Sequence, residues 1–256
     1  MPDTWNPDQY HLFQRERSQP FFDLLALVEA HDAMRILDLG CGTGELTAEA
    51  HARLHAAATL GMDSSEAMLQ KCTALQTSSL TFERADIATF VPSAPVDLVL
   101  SNAALQWVPH HESLFRRIRD WLRPQGQIAI QMPCNFDHPS HSVARDVAAR
   151  AEFAKWIVSP RSAHPVASPD TYATWLNDLG FARQHVRVQV YGHTLPTRAH
   201  VVEWVRGTLL TSYEKLLPKE VFAEFLARYT ETLLPKLGDR DPYFYAFKRM
   251  LIWAIL

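Results

Sequence analysis

Three glycines at alternate positions, Gly40, Gly42 and Gly44, stand inside the stretch ILDLGCGTGELT, Ile36 to Thr47. A short apolar run leads into them and an amphipathic segment leads out. The chain must therefore turn tightly at the tip of a strand and enter a helix at once. From residue 34 to 133 the same unit recurs. The candidate strands are MRILDL (34–39), ATLGMD (58–63), LTFERA (80–85), VDLVLS (96–101) and GQIAIQMP (126–133). Amphipathic stretches such as GELTAEAHARLH and HESLFRRIRDWLRP separate them, the latter stopped by Pro124 and Gly126. Strand–helix alternation of this kind predicts an α/β, doubly wound, mostly parallel sheet. Several strands are apolar almost throughout, as expected where helices cover both faces.

Beyond residue 134 the rhythm changes. HSVARDVAARAEFAKWI and SPDTYATWLNDLGF read as helices, the second with Ser168 as N-cap ahead of Pro169. QHVRVQVYGH alternates like a strand. RAHVVEWVRGTLLTSYEKL and KEVFAEFLARYTETLL read as helices, and FKRMLIWAIL as a last strand. The expectation is one domain over residues 1–256, with a seven-stranded sheet and a helical cap from about 136–180 and 196–236.

Composition limits the function. The chain has 256 residues, is 47% hydrophobic and carries a net charge of −3, so no basic footprint points to nucleic acid. No apolar run approaches the roughly 18–20 residues of a membrane span. The opening MPDTWNPDQY is too polar and acidic for a signal peptide. Cys41, Cys72 and Cys134 are scattered and odd in number, which reads as reduced thiols in a cytoplasmic protein.

The glycine stretch does not fit a dinucleotide. That fingerprint needs Gly-x-Gly-x-x-Gly, and Glu45 occupies the place of the third glycine. A pyrophosphate rests on a helix N-terminus because backbone N–H groups and the helix dipole favour anions. Glu45 in the first turn and Asp38 at the strand tip would repel one. They suit a ligand with positive charge and no phosphate, which describes S-adenosylmethionine. Ligands of open parallel sheets lie beyond the carboxyl ends of the strands. There Asp63, with Ser64, ends the second strand, where its carboxylate can accept from ribose hydroxyls or open the next helix. Asp86 could accept from an adenine amino group, with Ile87 against the ring. Met68 has two readings, core or the other adenine face. His51 and His55, His138 and His141, and the pair His110–His111 lack any ligand set, so no metal is expected.

The sequence resembles the class I methyltransferases and, more narrowly, the trans-aconitate 2-methyltransferases. The resemblance runs through WNPDQYHLFQRERSQP (Trp5 to Pro20), the glycine motif, GMDSSEAML, ADI, SNAALQWVPHH (Ser101 to His111) and QMPCN (Gln131 to Asn135). It continues in YGHTLP, VVEWVRGT and FKRMLI. It implies an O-methyltransferase that forms a methyl ester on a carboxylate of a small polycarboxylic acid, with S-adenosylmethionine as donor. It also implies that Asn102 and Ala103 border the methionine end and that Trp5 and Tyr10 fold over the cofactor. Trp107 can serve core or pocket. Two alternatives stand beside this reading. One is a different carboxylate, such as a carrier-protein-bound malonyl group; the other is a non-catalytic S-adenosylmethionine-binding domain.

A carboxylate acceptor is ionised at neutral pH, so the reaction needs no general base and no catalytic side chain beyond positioning. The unreacting carboxylates must be neutralised, which arginine does with bidentate geometry. Arg249, expected to open the last strand, is the first candidate, with His193 and Tyr213 as hydrogen-bond partners. Arg161 and Arg206 of the cap follow. Arg249 could instead be a surface charge beside Lys248, and Arg206 could face solvent. A monomer acting on a small molecule is expected.

Overall fold

The computed structural model describes residues 14–157 and 166–256. Trp5, Tyr10 and Arg161 lie outside the described residues. A seven-stranded sheet has the order β3-β2-β1-β4-β5-β7-β6. Its strands are β1 (Arg35–Leu39), β2 (Ala58–Asp63), β3 (Leu80–Arg84), β4 (Val96–Asn102), β5 (Leu122–Pro133), β6 (Arg183–Leu195) and β7 (Tyr243–Ile255). β1 to β5 run parallel and β7 returns antiparallel to β5. The order reverses at β1, where the chain crosses from β3 on one side to β4 on the other. In open α/β sheets ligands bind at such a reversal, beyond the carboxyl ends of the strands beside it.

The described residues form two compact units. The first comprises 14–134, 165–189 and 248–256, and holds β1 to β5. Ile36, Leu37, Leu39, Leu98, Val99, Leu100, Ile128, Ala129 and Ile130 are all at most 2% exposed. This is why the central strands read as unbroken apolar runs: both faces are covered. The ring of Phe82 on β3 packs against two glycines: a Cβ at Gly61 would come within 2.7 Å of it, and one at Gly44 within 2.8 Å. Helix Pro169–Asp178 belongs to this unit. Tyr172 anchors that helix under Phe115 of helix His111–Trp121, their rings 5.2 Å apart. Ser168 takes the N-cap position, but its hydroxyl bonds to Thr171 Oγ1 at 2.7 Å and caps no backbone N–H.

The second unit comprises 135–157 and 190–247 among the described residues. Its core is helical and aromatic, with Phe153, Trp204, Phe225, Tyr229 and Tyr245 buried. Two helices read as continuous are broken. The first starts early, at Pro139, because the His138 ring accepts from Ser140 N at 3.1 Å. It stops at Ala148, and a separate turn runs over Ala151–Ala154. The second divides into His200–Arg206 and Thr211–Glu214 at Gly207. Glycine is a poor helix former, and the hydroxyls of Thr211 and Ser212 bond to the nearby carbonyls of Thr208 and Leu209 instead. The last strand begins at Tyr243, earlier than expected, so Arg249 lies within it and does not open it.

Candidate active site

The turn after β1 is held from below. Gly40 N and Cys41 N both donate to Met62 O on β2, at 2.8 and 2.9 Å. Gly42 N donates to Asp63 Oδ2 at 3.0 Å, and Asp63 Oδ1 accepts from Ser65 N at 2.9 Å. Asp63 therefore ties the glycine turn to the start of helix Glu66–Cys72, whose cap is the Ser65 hydroxyl accepting from Met68 N. Gly42 has φ +57, and a side chain there would meet no protein atom within 4 Å. Packing does not demand a glycine at this position. The left-handed backbone does.

Two of the three cysteines, Cys41 and Cys72, meet beneath the turn. Cys72 Sγ lies 3.4 Å from Gly42 O and Cys41 Sγ 3.8 Å from it, so two buried thiols underlie the turn. The Cys72 hydrogen bond and burial hold the Cys41 thiol above its ordinary range. Both function as small packing groups that donate to one carbonyl.

Sheet register gathers the polar residues on one face. Bridge partners point to the same side, as do residues two apart on a strand. Asp38 is opposite Gly61 and Leu100, Asn102 is opposite Gln131, and Gln131 and Pro133 are opposite Leu251 and Arg249. Asp63, Asp38, Asn102, Gln131 and Arg249 therefore share one face, toward the carboxyl ends of the parallel strands. Across that face the chemistry runs from two carboxylates, through two amides, to a guanidinium.

Asp38 is 4% exposed, and Thr47 of helix Glu45–Arg53 donates to its Oδ2 at 2.6 Å. Burial pushes its carboxyl up to about 7; the Thr47 bond opposes this, and the nearby Asp63 charge adds to it. Among the described residues its Oδ1 has no hydrogen-bond partner, and neither has Asn102 Oδ1. Two buried acceptors beside a left-handed glycine turn fit a ligand with a cationic donor. Gln131 is fully buried, and Arg249 is 5% exposed with its Nη1 donating to Gln131 Oε1 at 3.2 Å. The reading of Arg249 as a surface charge is thus excluded.

Other expected residues are placed less centrally. Asp86 is exposed, and its Oδ1 accepts from Ala88 N at 2.8 Å. Ile87 sits 3.9 Å from where a Gly40 Cβ would be, against the turn. Met68 is 5% exposed, while Ser64 is exposed and gives its carbonyl to Arg84. Ala103 has φ +55 and donates its N–H to Gln131 O at 2.9 Å. Trp107 is half-buried in a short 3-10 turn. In the second unit His193 is buried against Trp204, ring centroids 4.6 Å apart, and Tyr213 stacks on Phe225 at 4.9 Å. Arg206 is exposed at the end of its helix, while Val201, Val202, Trp204 and Val205 are buried.

Sequence reasoning missed three supports. Arg117 donates to the carbonyls of Ala88 and Phe90, at 2.6 and 2.7 Å, and pins the loop that carries Asp86 and Ile87. His111 is 2% exposed, and its Nε2–H donates to Leu105 O at 2.8 Å. Its Nδ1 then accepts from the Tyr172 hydroxyl, which itself accepts from Ala167 N. Burial holds this imidazole below its ordinary range, in the neutral form the network requires. His51, expected on a solvated face, lies within reach of Thr59 Oγ1 at 2.8 Å and Ser79 Oγ at 3.2 Å, tethering its helix to the sheet. No group of three or more potential metal ligands occurs among the described residues.

A family model described as a methyltransferase domain matches residues 13–186. The trans-aconitate 2-methyltransferase of Deinococcus radiodurans is 41% identical over 256 residues, 98% of each chain. Those of Variovorax paradoxus and Escherichia coli are 40% and 36% identical, each over 98% of this chain and 97% of theirs. Among solved structures, an S-adenosylmethionine-dependent methyltransferase from Mesorhizobium loti aligns with a TM-score of 0.53 at 24% identity, over 92% of this chain and 96% of that one. A mycolic acid cyclopropane synthase solved with S-adenosylhomocysteine aligns at 0.58 and 17% identity, over 99% and 89%. Sheet order, glycine turn and orphaned acceptors together define a class I methyltransferase with S-adenosylmethionine as cofactor. Within that class, the chain belongs to the trans-aconitate 2-methyltransferase family. No helix among the described residues is long and apolar enough to cross a membrane.

Proposed function

We propose that this protein methylates one carboxylate of trans-aconitate or a closely similar small polycarboxylic acid, and that it works as a cytoplasmic monomer. The observation that carries the reading is the ordered polarity of one sheet face, from Asp63 and Asp38 to the buried Arg249. A cationic donor and an anionic acceptor must lie side by side for methyl transfer. Carboxylates at one end and a guanidinium at the other hold such a pair in that order. S-adenosylmethionine, when bound, supplies an electrophilic methyl on a sulfonium. Asp38 and Asn102 would hold its ammonium end, Asp63 the ribose, and Met68, Asp86 and Ile87 the adenine.

The chain's own part is alignment and exclusion of water. Positioning alone supplies as much as about 7–11 kcal/mol of a bimolecular barrier. Water stabilises the separated sulfonium and carboxylate charges more than the partly neutralised transition state, so a dry site favours transfer. An acceptor that is already anionic requires no base. Neutral His111, with both ring nitrogens engaged, is accordingly free of proton transfer.

A methyl-transfer assay across small polycarboxylic acids and an acyl-carrier protein tests the substrate class. Trans-aconitate should give the largest kcat/KM. Arg249→Lys should raise KM for the acid at least about tenfold with cofactor affinity nearly unchanged, because a point charge cannot reproduce the fork. Wild-type kinetics in that variant, or preference for a carrier protein, would reject the reading.

A further inference from the structure

Gln131 is the residue of this face whose chemistry the cofactor does not explain. It lies on β5 between Asn102 of β4 and Leu251 of β7. Its carbonyl accepts from Ala103 N at 2.9 Å, and its side-chain Oε1 accepts from Arg249 Nη1 at 3.2 Å. One residue thus joins the loop after β4 to the guanidinium on β7.

The side-chain orientation follows from the partner. A guanidinium only donates, so the atom facing it must be the amide oxygen, and the NH2 group points elsewhere. That Nε2 is buried and has no hydrogen-bond partner among the described residues. Leaving a buried donor unmet is costly, and a methionine of similar length would fill the space without that cost. A glutamate would hold Arg249 more strongly, yet it would cancel the charge. Glutamine orients a guanidinium without cancelling its charge, and it offers a donor of its own beside it.

We propose that Gln131 is a specificity-determining residue for the acceptor: its oxygen sets the Arg249 guanidinium, and its NH2 donates to the acceptor carboxylate that Arg249 neutralises. This rests on the reading of Arg249 as the acceptor's partner. It divides the face between two ligands, with Asp38 and Asn102 on the cationic one and Gln131 and Arg249 on the anionic one.

Gln131→Glu and Gln131→Met are compared with wild type and with Arg249→Lys. Calorimetry measures the Kd of S-adenosylmethionine, and the Kd of trans-aconitate in the presence of S-adenosylhomocysteine; steady-state assays give KM and kcat. Gln131→Glu should weaken acceptor binding about a hundredfold and Gln131→Met about tenfold, with the cofactor Kd within about twofold. A merely structural role predicts the opposite order, since glutamate keeps the bond to Arg249 and methionine loses it. Acceptor affinity unchanged in both variants, glutamate milder than methionine, or a larger effect on the cofactor than on the acceptor would each overturn the proposal. If Arg249→Lys raises KM while both Gln131 variants bind the acceptor normally, this inference fails and the acceptor reading stands. Wild-type behaviour of Arg249→Lys removes both.

Discussion

Cofactor binding should be linked to one proton through Asp38. Its carboxyl, pushed up to about 7 by burial, is mostly protonated in the free protein at mildly acidic pH. Accepting from the cofactor's ammonium requires the ionised form, so binding must expel the proton. The apparent affinity then scales with the fraction of Asp38 already ionised. Between about pH 6.5 and about pH 5.5 that fraction falls about eightfold, equivalent to about 1.2 kcal/mol. The window is chosen below the ordinary α-amino range of about 7.7–8.0, so that the cofactor's own ammonium does not titrate across it. Calorimetry near pH 6 in buffers of different ionisation enthalpy should report close to one proton released per cofactor bound. The turnover number at saturating cofactor should stay flat over the same window. Asp38→Asn should bind more weakly and with no such pH dependence. Equal affinity at both ends of the window, with no net proton release, would refute this role for Asp38.

The same residue should shape the stability of the free protein. Its proton is held more tightly in the folded than in the unfolded chain, so its contribution is fully present below the usual carboxylate range and is lost as pH rises through about 7. The ligand-free protein should therefore melt higher near pH 6 than near pH 8, and Asp38→Asn should flatten that difference and raise Tm near pH 8. A wild-type Tm that climbs steadily across the interval would contradict it. At Gly42, asparagine tolerates the left-handed backbone and valine does not, while both fill the space beside the turn. Gly42→Asn should keep Tm within a few degrees yet lose more than about tenfold in cofactor affinity, and Gly42→Val should lose both. Full affinity in a folded asparagine variant would show that no ligand approaches there.

The sheet was legible because burial on both faces leaves a signal that needs no partner: β4 and β5 are apolar runs bounded by turns. The glycine turn was legible because left-handed backbone restricts residue choice. Helix breaks at Gly207 and Arg150 were not, since amphipathic periodicity continues across them and only the local hydroxyl and capping contacts decide. The proposed cofactor half of the site lies in residues attached to strand ends, so Asp38 and Asp63 could be named from their spacing to the glycines. Gln131, His111 and Arg117 could not. Their partners, Arg249, Tyr172 and the carbonyls of Ala88 and Phe90, lie far along the chain, and only register or a tertiary contact brings them together. Tyr213, named as a hydrogen-bond partner of Arg249, is buried and stacks on Phe225, a contact the sequence pattern did not reveal.

The ring of Phe82 makes three positions interdependent, with consequences for redesign and for drift among relatives. Gly61 has an ordinary backbone, so it is glycine because Phe82 comes within 2.7 Å and Cys41 Cβ within 3.0 Å of where its Cβ would be. Trimming Phe82 to leucine relieves the nearer clash, and the alanine that alone would wedge β2 from the turn becomes tolerable as a pair. Gly44 has no such escape. Its φ of +78 strains any side chain even with the ring removed, and Cys72 Sγ waits at 2.9 Å. Two glycines under one phenylalanine thus follow different rules. One can change in concert with its neighbour, and the other is fixed as long as the turn is kept.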